Sequence, residues 1–142
     1  MQILISVIVL IFGVALVIVG IVYQTLDKYR FYIQRQWPTL EPLIVEWIDS
    51  ACADSYAAPG FGEALEEYRA AKKPEKKIIA FMRLPELCER TEERRGIERR
   101  LTDAAARYNE YVRVYNKRFD TAFFGKIGSV LRFVRMRAIV FD

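Results

Sequence analysis

From Ile3 to Tyr23 the chain runs 21 residues without a charged side chain. As a helix rising about 1.5 Å per residue, this run spans roughly 30 Å, the thickness of a bilayer's hydrocarbon core. A cleaved signal peptide would carry a basic start, a shorter apolar stretch and a small-x-small cleavage site. None of these surrounds Gly20-Ile21-Val22-Tyr23, so an uncleaved anchor is expected. The chain then divides into an anchor (1–23), a helical domain (24–119) and a basic tail (120–142).

Tyr23 suits the membrane interface, and Lys28, Arg30 and Arg35 follow it, whereas only Met1 and Gln2 precede the apolar run. The positive-inside bias therefore predicts a single-pass protein with its N-terminus outside and its C-terminal domain in the cytoplasm. Cys52 and Cys88 are the only cysteines, 36 positions apart, and histidine is absent. That agrees with a reducing compartment and argues against zinc sites and Cys/His chemistry.

Past the anchor, aromatics at 13% of the chain are enough for a folded domain despite 28% charged residues. The net charge of +4 lies wholly in residues 117–142, which hold six basic and two acidic side chains. A local excess of this kind suits lipid headgroups or an acidic protein face. Nucleic acid would call for a longer basic stripe.

The seam Tyr23, Leu26, Arg30, Ile33, Trp37 and Leu40 alternates spacings of three and four, so the anchor helix is expected to continue into a coiled-coil-like packing. Pro38 and Pro42 should kink or end it near Trp37, with a restart around Thr39 running to about Tyr56. Ala58-Pro59-Gly60 stops that segment, Phe61 to Ala71 is again helical, and Lys72 to Lys77 reads as a solvated turn. Pro85 should open the longest soluble helix, reaching about Phe119. Its Leu101, Ala105, Tyr108, Val112, Tyr115 and Phe119 form a seam, while Glu92 to Arg100 offers only Ile97 and should project into solvent. The fold class is all-α: one transmembrane helix continuous with an antiparallel bundle of long helices.

Two stretches carry a family resemblance. Tyr23, Leu26, Arg30, Ile33 and Trp37 form one; Glu98, Arg100 and Leu101, followed by Tyr108-Asn109-Glu110, Val112 and Tyr115-Asn116, form the other. In these spacings the chain resembles the LemA family of bacterial membrane proteins, in which an N-terminal anchor precedes a bundle of long helices. The chain departs from that pattern in a compressed middle around Leu43-Ile44-Val45-Glu46 and in Phe123, near where the family has proline. The resemblance implies a bacterial cell membrane and a scaffolding role, and it supplies no catalytic residues.

Asn109 and Asn116 stand seven apart, placed either to fix helix register across the bundle or to form a partner-binding face. Arg30 occupies a seam position that calls for a carboxylate, with Glu98 and Glu110 as candidates. Glu66-Glu67 and Glu92-Glu93 lie among Arg69, Arg94 and Arg95 and read as solvated faces. In the tail, Phe123, Ile127, Val130, Leu131, Val134 and Ala138 would share one helical face, with Lys126, Arg132, Arg135 and Arg137 off it as candidate membrane-surface contacts. That face either lies on the membrane or closes the bundle.

The chain has no histidine, no glycine-rich phosphate loop and no nucleophile beside a base, so no enzyme activity, cofactor, metal or small-molecule substrate is expected. A membrane-anchored helical scaffold or interaction protein fits best. Its expected partners are the lipid bilayer and a protein, the latter either heterologous or a second copy joined through helix faces. The alternatives are a membrane-shaping protein using its basic tail, and an accessory subunit of a membrane protease or transporter.

Overall fold

The computed structural model describes residues 1–53 and 58–142. The expected boundary near Tyr56 lies outside the described residues. Among the described residues seven α-helices carry the fold: α1 (Gln2–Arg35), α2 (Trp37–Cys52), α3 (Phe61–Ala70), α4 (Pro74–Phe81), α5 (Glu92–Ala104), α6 (Ala106–Phe119) and α7 (Ala122–Val130). Among the described residues there is no strand. The class is all-α, as expected.

Helix α1 is long and apolar enough to cross a membrane. It passes through Tyr23 without a break, exposed over its first half and burying Val22, Leu26 and Ile33 in its second. One residue, Gln36, separates it from α2, with Pro38 in the first turn where its missing N–H costs nothing. The break falls where the prolines placed it, and Pro42 is accommodated inside α2.

The segment expected to be one helix from Pro85 is instead a 3-10 turn (Pro85–Leu87), an extended link, and the pair α5 and α6 interrupted at Ala105. Thr91 explains the later start: its hydroxyl accepts the Arg94 N–H at 3.3 Å, and Glu92 and Glu93 complement the first turn's dipole. Leu87 is also occupied elsewhere, its carbonyl taking the Ala58 N–H.

Two bent rods result, α1–α2 and α5–α6. Tyr32 stacks on Tyr111 while Trp47 meets Glu98 and Glu46 meets Arg100, so the rods run antiparallel, with α1 beside α6 and α2 beside α5. The charged half of α5 therefore packs rather than projecting. Ile97 and Leu101 are buried there together with Glu98 and Arg94. The Lys72–Lys77 cluster likewise departs from a simple turn, since Pro74 begins α4 and only Lys72 and Lys73 stay in the link. The α3–α4 hairpin closes the side of the bundle, with Phe81 edge-on to Trp47.

Helix α7 stops well short of Ala138. Its end is a Schellman motif: Phe133 N–H bonds the Gly128 carbonyl at 2.8 Å, Arg132 N–H bonds Ser129, and Arg132 is left-handed at φ 64°. From Phe133 onward the chain has no regular secondary structure. A side chain in the left-handed region costs roughly 1–2 kcal/mol that glycine avoids. Arg132→Gly should therefore stabilise the domain by about 1 kcal/mol in denaturant unfolding. A loss of stability would show that the Arg132 side chain contributes more than its backbone strain costs.

Candidate interaction site: a tyrosine-asparagine ladder

Seven residues on a helix are two turns, so Tyr108-Asn109 and Tyr115-Asn116 repeat on one side of α6 about 10.5 Å apart. Extended backbone covers nearly that distance in three residues. The two repeats accordingly hold the C-terminal segment at positions three apart, running antiparallel to α6. Asn116 donates to the Met136 carbonyl at 2.8 Å and accepts the Met136 N–H at 2.9 Å. Asn109 does the same for Ile139, at 2.8 and 2.9 Å. Tyr115 donates its hydroxyl to the Val134 carbonyl at 2.8 Å, and Tyr108 donates to Arg137 at 2.6 Å.

Each asparagine amide thus presents the donor-acceptor pair that a neighbouring strand would offer. The segment's apolar side chains follow the same count, with Phe133, Met136 and Ile139 buried and the residues between them mostly exposed. Burial pushes the Tyr115 hydroxyl up to about 12, with Glu75 raising and Arg30 lowering it, and pushes Tyr108 up further. Both phenols stay protonated donors well above neutral pH.

The asparagines therefore bind neither across the helical rods nor to an open face. They capture the tail. The expected continuous helical face from Phe123 to Ala138 does not exist, because Val134 and Ala138 lie past the end of α7 in a segment that is not helical. Ladder bonds satisfy backbone groups that would otherwise have favoured helix.

Arg30 pairs with Asp27 one turn away and lies over the Phe133 ring, 4.8 Å from its centroid. The expected pairing with Glu98 or Glu110 is not formed: Glu110 binds Arg113, and Glu98 accepts from Trp47 Nε1 at 3.2 Å with Arg90 3.8 Å away. Arg30 stands on the α1–α6 side of the bundle and Glu98 on the α2–α5 side. Half-exposed, Arg30 needs no buried carboxylate.

Tyr23 sits edge-on to Phe133, Leu26 and Ile33 are core, and Trp37 is half-buried at the start of α2. Arg100 ion-pairs with Glu46 on the surface, while Leu101 and Val112 are buried. Of the tail cations, Arg135 pairs with Asp120 at 3.2 Å, and Lys126, Arg132 and Arg137 are exposed. Glu66, Glu67 and Glu92 are exposed and paired with arginines. Arg94 departs from that surface pattern, for it is buried and donates to the Ser50 and Glu89 carbonyls. Nothing local marks it, since its acceptors come from other elements. Met136 and Ile139 also escape a helical periodicity, although the heptad of Tyr-Asn pairs was a usable signal.

Among the described residues no three Cys, Asp or Glu side chains gather as metal ligands would. No family model, curated protein or solved structure matches the chain.

Replacing Asn116 by Leu orphans two backbone groups of Met136, at about 1–3 kcal/mol each if they stay buried. Amides of residues 134–139 should then exchange with solvent much faster while the Trp47 region remains protected. Unchanged exchange would remove the ladder as the tail's restraint. Because the folded phenols have raised pKa values, stability is complete below pH 10 and falls as pH rises through about 12. Tyr115→Phe should flatten that alkaline slope in a pH titration of unfolding.

Proposed function

We propose that this chain is a membrane-anchored helical scaffold or interaction protein with no catalytic activity of its own. The observation that carries this reading is the unbroken α1, in which one helix is an exposed apolar span at one end and a core element, through Val22, Leu26 and Ile33, at the other. A helix continuous across that boundary transmits position and orientation, so the bundle is mounted at a fixed height instead of being tethered by a flexible linker. Surface ion pairs such as Glu46–Arg100 and Glu67–Arg83 leave polar helix faces for a protein partner.

The resemblance to the LemA family supports the same reading, since the stretch from Tyr23 to Trp37 is where span becomes core and the Tyr-Asn stretch closes the bundle. Lys28 and Arg35, exposed just beyond the span, favour a cytoplasmic domain in a bacterial cell membrane. The chemistry of the ladder is consumed in holding the chain's own backbone, which favours a structural role over a substrate site.

Photo-reactive residues placed at exposed Asp49, Glu63 and Glu93 should give a small number of discrete protein adducts in native membranes. Absence of any adduct from all three faces would overturn the scaffold reading. Orientation is tested by a cysteine at Lys72 in intact cells, which should resist a membrane-impermeant thiol reagent. Ready labelling would place the domain outside.

A further inference from the structure

Burial along α1 begins earlier than the polar residues do. Ile18 and Val19 are already partly covered, as is Thr25, and Val22 and Leu26 are fully buried. A hydrocarbon core of about 30 Å takes about twenty helical residues, so a span starting at Ile3 ends near Val22. The bundle therefore overlaps the last turn of the span.

The elements at that end are the close of α6 and all of α7. Helix α6 descends α1 in the opposite sense, from Tyr111 beside Tyr32 to Phe119 beside Leu26. Helix α7 crosses α1 there through Gly128, where an added Cβ would stand 2.9 Å from Leu26 Cδ1 and 3.0 Å from Phe119 Cε2. Phe124, Ile127 and Leu131 turn toward the core. On its uncovered side, Phe123 is 52% and Val130 83% exposed, seven residues apart, with Lys126 between them. Lys126 is the only charge in the nine residues of α7. Lys117 and Arg118 lie in the last turn of α6, shortly before α7, and Arg132 just past the end of α7; all are exposed and, among the described residues, without an ion pair, whereas Asp27 and Asp120 are already paired with Arg30 and Arg135.

We propose that α7 is a second membrane contact, lying in the boundary between headgroups and acyl chains beside the anchor. Phe123 and Val130 enter the acyl region, and Lys117, Arg118, Lys126 and Arg132 meet the phosphates of anionic phospholipid. The inference rests on α1 being a membrane span. It deepens the scaffold reading, because two contacts fix the tilt of the bundle where one helix fixes only its height. Apolar side chains beside basic ones, at this depth, are what an interfacial helix requires. Continuity with the span and the unpaired positive charge select an anionic leaflet as occupant. The segment 134–139 takes no part, being held on α6 by the ladder.

The test uses the full chain with Cys52→Ser and Cys88→Ser, carrying single spin labels at Ile8→Cys, Phe123→Cys, Val130→Cys or Val140→Cys. The protein is placed in nanodiscs of phosphatidylcholine with or without phosphatidylglycerol. Labels at 8, 123 and 130 should be accessible to oxygen and shielded from an aqueous nickel chelate, with 8 the deepest and 140 open to the chelate. Changing Lys117, Arg118, Lys126 and Arg132 to Gln should make position 123 shallower in the anionic discs alone. If 123 and 130 are as open to the chelate as 140 while 8 is not, the interfacial helix is overturned and the span stands. Aqueous exposure at 8 overturns the span itself. Shielding of 123 and 130 from both reagents assigns the face to a protein partner and overturns the lipid assignment. Indifference of position 123 to the four substitutions overturns the phosphate contacts.

Discussion

The structure depends on the intrahelical hydrogen bonding of α1 being uninterrupted from Gln2 to Arg35. Apolar side chains all round suit lipid, whereas a single apolar stripe suits a bundle, and α1 changes from one to the other without leaving the helix. Ile3 to Ile21 carries the first pattern and the Val22, Leu26, Ile33 stripe carries the second. Because no loop lies between them, everything packed on the stripe inherits the direction of the upper half. The antiparallel α6, the crossing α7 and the restart of α2 at Trp37 are all placed relative to that one axis.

A bundle of two bent rods leaves a groove along α6, and the chain fills it with its own C-terminal segment. Extended backbone packed on a helix has no strand beside it, so its N–H and C=O groups need side-chain partners or water. Asn109 and Asn116 provide two bonds each, and Tyr108 and Tyr115 one each. The match between two helical turns and three extended residues lets both pairs work at once, and Phe133, Met136 and Ile139 reach the core at the same interval. The tail thereby links the α1–α6 pair to the α4 side of the domain, where Phe141 meets Phe81 edge-on. The same tail leaves α7 to be decided by the Arg132 turn, so the apolar helix and the basic extended segment are separate devices that a single amphipathic helix would have merged.

Legibility from sequence varied with how local the deciding physics was. The long apolar helix, the continuation of its seam through Leu26 and Ile33, the break before Pro38 and the helix from Phe61 were all readable, whereas Gly60, at φ 97°, caps the start of α3 and α2 has already ended at Cys52. Tyr108, Asn109, Tyr115 and Asn116 stood out in the sequence, but what they bind did not, because an amide serves a neighbouring helix, a partner or an extended strand with equal chemistry. Arg30 misled for a related reason: a charged residue on a seam suggests a buried ion pair, and Phe133 with Asp27 satisfied it at the rim instead.

What the sequence determined by itself is whatever acts within a turn or two of helix: hydropathy over twenty residues, the missing donor of proline, the left-handed freedom of glycine, and the three-four spacing of apolar side chains. Tertiary structure alone decided the burial of Arg94 against the Ser50 carbonyl, the reach of Trp47 to Glu98 and the path of residues 134–139 along α6. In each of these a polar group has several acceptable partners of similar energy. The choice falls to whichever one the packing of distant helices brings within about 3 Å.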